Sequence, residues 1–171
     1  MKSILILALL FSSFRVFSQP PPMQEIILSF SGEVKPSENK LTPSMKEKIL
    51  KQLKISKSAD YSILSAAVGA GYVAVVQNAK NREQLAWVYY EGSEGILQTI
   101  LFKSMINAVA LGKVKAVAAA KGLKADQNTD YLKISNKTGT WYKIAGTVDG
   151  AFGFIFLSEG FVFLSKEGEE H

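Results

Sequence analysis

The chain has 171 residues, 47% apolar and 20% charged, which fits one globular domain with a real core and excludes a disordered chain. It has no cysteine, and its single histidine is the last residue, His171. Disulfides, thiol nucleophiles, cysteine- or histidine-based metal sites and most histidine acid–base chemistry are thereby excluded. The formal charge is +5, but two of the 20 basic residues, Lys2 and Arg15, fall in a leader, leaving 18 against 15 acidic ones. That is a solubility charge, not a nucleic-acid footprint, and no nucleic-acid partner is expected.

Residues 1–18 read as a secretory signal peptide: Lys2 is the positive start, Ile4 to Phe11 the apolar stretch, and Val16 and Ser18 the small residues before cleavage ahead of Gln19. The apolar run is too short to span a bilayer, so the mature chain is expected not to cross a membrane. An exported domain without disulfides points to a bacterial periplasm or exterior. Residues 19–24 form a proline-rich lead-in, and residues 25–171 are expected to form a single α+β domain.

Within that domain, Glu25 to Val34 is a strand candidate. Thr42-Pro43 opens a helix to about Leu53, with Thr42 as N-cap and Pro43 in the first turn. Met45, Ile49, Leu50 and Leu53 line its apolar side, while Lys46, Lys48, Lys51 and Lys54 face water. Asp60 to Val68, Tyr72 to Gln77 and Leu85 to Glu91 are β-like. Ser93 is expected to cap a long helix running to about Lys121, with Gly122 as its left-handed terminator and Leu123 as the apolar contact behind it. Tyr131 to Ser135 is a further strand. No internal repeat or low-complexity segment stands out.

The last stretch, Thr140 to Ser165, reads as a β-meander with turns at Asp149-Gly150 and Glu159-Gly160. Two-residue loops at both places would set Val148 opposite Ala151, Ile144 opposite Ile155, Leu157 opposite Val162 and Phe156 opposite Phe163. One face then carries Gly146, Ala151 and Gly153, a shallow patch fit for the alanine-rich half of the long helix. The other carries Trp141, Lys143, Phe152, Phe154, Phe156, Phe161 and Phe163. This bulky face reads as core, or as an apolar ligand pocket or partner surface; its candidate binding residues are Trp141, Phe152, Phe154, Phe156, Phe161 and Phe163.

The expected fold is therefore α+β: a mainly antiparallel sheet, with the C-terminal meander at its centre, packed on one long helix, and the shorter N-terminal helix on the other side. Gly69-Ala70-Gly71 begins a G-x-G-x-x-A pattern with Glu91 about twenty residues on, the spacing of a dinucleotide-binding turn. The β-branched residues after it favour a hairpin turn instead. Glu91 and Glu94 read as a solvated pair, and Trp87 and Tyr89 as core or a small stacking platform. No residue set supplies a nucleophile, base and orienting group, so no catalytic residue, cofactor or metal is expected. The function expected is a non-catalytic binding or interaction module, its partner a protein or a small apolar ligand. The alternatives are a carrier using the phenylalanine face or a nucleotide-binding enzyme using the glycine turn.

Overall fold

A computed structural model describes residues 40–56, 58–92 and 95–168. The expected signal peptide, the proline-rich lead-in, the Glu25–Val34 strand, and the Ser93 cap with Glu94 lie outside the described residues. Those described form two α-helices and nine strands in one antiparallel sheet. The class is α+β.

Helix α1 (Pro43–Gln52) starts as its sequence requires, with Thr42 Oγ1 accepting from the Met45 N–H at 3.2 Å and proline in the first turn. Met45, Ile49 and Leu53 are buried one turn apart, and its three lysines, with Lys54 just beyond, are exposed. Four strands follow: β1 (Tyr61–Val68), β2 (Gly71–Asn78), β3 (Gln84–Glu91) and β4 (Gly95–Phe102).

Strand β4 corrects the long-helix expectation. Its sequence, GILQTILF, is apolar toward both faces and rich in β-branched residues, and it pairs with neighbours on both sides. A short run of that kind reads equally as strand or buried helix until its partners are known. A 3₁₀ turn at Lys103–Met105 then leads to helix α2 (Ala108–Ala120), capped by Asn107, whose Oδ1 accepts from Val109 N–H at 2.9 Å and Ala110 N–H at 3.4 Å. Its end is as expected: Gly122 has φ +98° and Leu123 is buried behind it.

The chain continues through β5 (Leu123–Lys124), β6 (Asp130–Asn136), β7 (Gly139–Val148), β8 (Ala151–Ser158) and β9 (Phe163–Gly168). The strand order is β1-β2-β3-β4-β6-β7-β8-β9, with β5 pairing beside β7. The meander is thus one half of the sheet, and the centre is the β4–β6 pairing. Each half is a helix followed by four antiparallel strands in sequence order, the second half adding the two-residue β5 before them, so the architecture repeats although the sequence shows no repeat by eye. Faint echoes survive: Asp60-Tyr61 and Asp130-Tyr131 both lead into a first strand, and Tyr72 and Tyr142 both lie in a second.

Both helices cover the same face, which corrects the expected two-sided arrangement. Helix α1 packs Ile49 against Ile63, Ala74, Val76, Ala86 and Val88, while α2 packs Val114 and Ala118 against Tyr131, Tyr142, Ile144, Ile155 and Leu157. Leu101 of β4 borders both clusters. The nearest atoms to a side chain added at Gly146 belong to Thr129 and Leu123, so the shallow patch there is filled by the β5–β6 segment.

The first meander turn has the expected form, with Asp149 and Gly150 at φ +51° and +96° and Val148 opposite Ala151. The second differs. Phe161 N–H donates to Ser158 O at 2.9 Å, Ser158 N–H donates to Val162 O at 2.8 Å, and Phe161 holds φ +64°. This is a three-residue loop with a left-handed last residue. Leu157 consequently faces Phe163, and Phe156 faces Ser165, with a bulge between. The extra residue moves Phe163 to the helix-covered face and Leu164 to the other.

Candidate functional site

The extra residue of the β8–β9 loop divides the six aromatic residues singled out in the sequence. Trp141, Phe152, Phe154 and Phe156 lie on the face opposite the helices. Phe161 and Phe163 belong to the helix-side core, where Phe161 stacks on Tyr142 with centroids 5.5 Å apart. Of the five phenylalanines expected together, three remain, joined by Leu164.

Alternate residues of β8 make these three a ladder of rings. Phe152 meets Phe154 edge-on at 5.3 Å, and Phe154 lies 6.5 Å from Phe156. The ladder runs from interior to surface. Phe156 and Trp141 are each 5% exposed and pack with Ile100 and Ile134, whereas Phe152 is 51% exposed. The inner end is core, and the outer end meets water. Among the described residues no helix packs on this face.

Lys143 of β7 lies beside the ladder, between Leu132 and Phe156 in register. Its Nζ sits 4.0 Å from the Phe154 ring centroid and 5.8 Å from that of Phe156. Burial pushes the amine below the ordinary lysine value, and the Glu167 carboxylate pulls it partly back. Among the described residues no carboxylate reaches Lys143 within ion-pair distance. The rings supply the attraction instead, through their negative faces. This arrangement can hold an apolar group against Phe152 and Phe154 and donate a charge-assisted hydrogen bond to an acid beside it. Lys143 was visible in the sequence as the one charge in the apolar run Trp141 to Val148, but nothing there distinguished a ring-bound ammonium from a solvated one.

Trp87 and Tyr89 share this face farther along the sheet. The indole N–H donates to Gln84 Oε1 at 2.8 Å, Tyr89 donates to Glu91 Oε1 at 2.9 Å, and Trp87 meets Phe102 edge-on at 5.4 Å. The polar edges that a sugar would use are thus engaged within the strand. Tyr90 points the other way and stacks on Tyr72 beneath α1.

The glycine pattern is a hairpin turn. Val68 pairs with Gly71, Gly69 has φ +57°, and Gly71 opens a strand. A dinucleotide-binding turn of that pattern needs a helix from that glycine, and here a strand stands in its place. Gly71 is demanded by packing, since a Cβ there would lie 2.6 Å from Tyr90 O. Among the described residues no group of three or more His, Cys, Asp or Glu side chains is gathered as a metal site.

Comparison of the chain with protein-family models, curated proteins and solved structures returned no match.

Proposed function

We propose that the protein is an exported, non-catalytic interaction module whose contact region is the outer end of the Phe152–Phe154–Phe156 ladder. One observation carries this reading: Phe152 is half exposed while linked ring to ring with a buried aromatic cluster. A ring at the surface end of a packed ladder gives a partner an apolar anchor whose ordering cost is already met by the fold.

A second reading, a carrier of a small amphiphile, draws on Lys143. An ammonium held on aromatic rings without a carboxylate is suited to the acid head of a ligand whose apolar part lies on Phe152 and Phe154.

Native mass spectrometry of the mature protein, purified gently, separates the two. A mass equal to the bare chain supports the interaction module, and an excess matching a small apolar molecule supports the carrier. Under either reading, Phe152→Ser should abolish capture of the bound species and leave the unfolding midpoint nearly unchanged, because the ring is half in water. Capture unaffected by that substitution would place the contact elsewhere.

A further inference from the structure

Helix α2 presents a surface of different character on the opposite side of the sheet. From Lys103 to Lys124 the chain carries five lysines and no acidic residue. All five are exposed, and none has a carboxylate within 4.0 Å among the described residues. Four lie over aromatic rings: Lys113 over Phe161 at 5.2 Å, Lys121 over Phe163 at 4.7 Å, and Lys115 and Lys103 over Tyr131 at 5.6 and 5.9 Å. Phe161 follows β8 and Tyr131 belongs to β6, so Lys113 and Lys115 lean to opposite flanks of the helix. Their charges rim an outward surface that offers no other polar side chain along α2.

A second observation lies inside that rim. Among the described residues three large apolar side chains are prominently exposed, and two of them are here. Val109, 69% exposed, is one turn before Lys113; Val162, 61% exposed, follows the Phe161 on which Lys113 rests. Lysines beside protruding apolar side chains, with the one acid of the β8–β9 loop, Glu159, ion-paired to Lys133 at 3.8 Å, complement a surface that is anionic at its plane and apolar just beneath. Lysines lying along rings can extend their ammonium groups to headgroups while their stems stay on apolar surface. Nucleic acid fits less well, because the rim has no arginine forks and no exposed ring for stacking bases.

From this charge complementarity and the two valines we infer that the outward face of α2, with the β8–β9 loop, docks peripherally on an anionic phospholipid bilayer. No described helix is long and apolar enough to cross a membrane, so the contact is one of surface seating. It is independent of the aromatic ladder, which lies on the other side of the sheet.

The test is sedimentation of the full chain with vesicles of phosphatidylcholine alone or with roughly one third phosphatidylglycerol, at about 0.1 M salt. Binding is expected only with phosphatidylglycerol. Each lysine at such a surface is worth about fivefold in affinity, so Lys113→Glu with Lys121→Glu should weaken binding by at least about 25-fold. Lys80→Glu with Lys137→Glu alters net charge equally and should leave binding within about twofold, because those exposed lysines lie in the β2–β3 and β6–β7 turns and not on a helix. Val109→Ser with Val162→Ser should weaken binding several-fold, with circular dichroism confirming that each variant is folded. No binding to the anionic vesicles, equal losses from the two lysine pairs, or indifference to the valines would each overturn the inference. Polyglutamate competing as strongly as the vesicles would also overturn it, in favour of an acidic protein.

Discussion

Phe161 stacks on Tyr142 with ring centroids 5.5 Å apart and planes 22° from parallel, from a backbone at φ +64°. A bulky residue rarely adopts that conformation, which costs about 1–3 kcal/mol. The ring contact offsets the cost and holds the β8–β9 register.

Replacing Phe161 with glycine tests this balance. Glycine relieves the strain but removes a ring whose burial is worth up to about 3 kcal/mol. The expected net effect is a loss of about 1 kcal/mol in urea unfolding. A more stable variant would show that the loop conformation, not the ring, dominates at this position.

Asn107 separates strand from helix at the centre of the chain. Its side chain serves two backbone N–H groups of α2. Asn107→Ala should cost about 1 kcal/mol, whereas Asn107→Ser or Asn107→Asp should cost much less. Equal losses from all three substitutions in equilibrium unfolding would mean that the cap does not set the start of the helix.

Gly69 and Gly71 should respond differently to alanine. Gly69 has open space around it and only its φ of +57° to object, so Gly69→Ala should cost about 1 kcal/mol. At Gly71 the added Cβ meets backbone 2.6 Å away, and β2 and β3 must part to admit it. Gly71→Ala should therefore be the more damaging change in thermal unfolding, by about 1–3 kcal/mol. The reverse order would contradict the packing assigned to Gly71.

Alkaline pH should reveal two opposing contributions. Burial depresses the Lys143 pKa below 10.5, so its contribution is present above that value and is lost as pH falls through the folded pKa. Burial raises the Tyr90, Tyr131 and Tyr142 phenols above 10.0, so their contribution is full below 10.0 and is lost as pH rises through the folded values. The unfolding midpoint should climb as pH approaches about 10 and decline above it. Lys143→Met should flatten the climb and leave the decline. A climb that persists in that variant would mean that Lys143 is solvated.

The sequence made some of this fold legible and concealed the rest for physical reasons. Local signals succeeded where one residue determines the outcome: Thr42-Pro43 at the start of α1, Asp149-Gly150 at the first meander turn, Gly122 at the end of α2. Strand β4 was missed because its residues are apolar on both faces, and only its neighbours distinguish sheet from helix. The repeat was hidden by the same error, since a helix across residues 93–121 removes the fourth strand of the first half. In the candidate site, Trp141, Phe152, Phe154 and Phe156 were legible from alternation alone. Phe161 and Phe163 were misplaced because the left-handed Phe161 adds a third residue to the loop and reverses the faces as far as the bulge at Leu164, beyond which Ser165, Lys166 and Glu167 regain the alternation a two-residue loop would give.

The two halves succeed one another along the sheet with strand directions alternating throughout, so the second half relates to the first by translation instead of by a two-fold axis. In this series β6 stands to β4 as the β1 of another molecule would stand to β9. Such a pairing between copies would repeat the internal seam head to tail, and a translational repeat does not close on itself. Strand β4, whose edge is taken, bears no charge, whereas β9 carries Lys166 and Glu167, with Lys166 ion-paired to Asp149. Charged side chains on that outer strand would guard against filament growth, which the architecture otherwise invites.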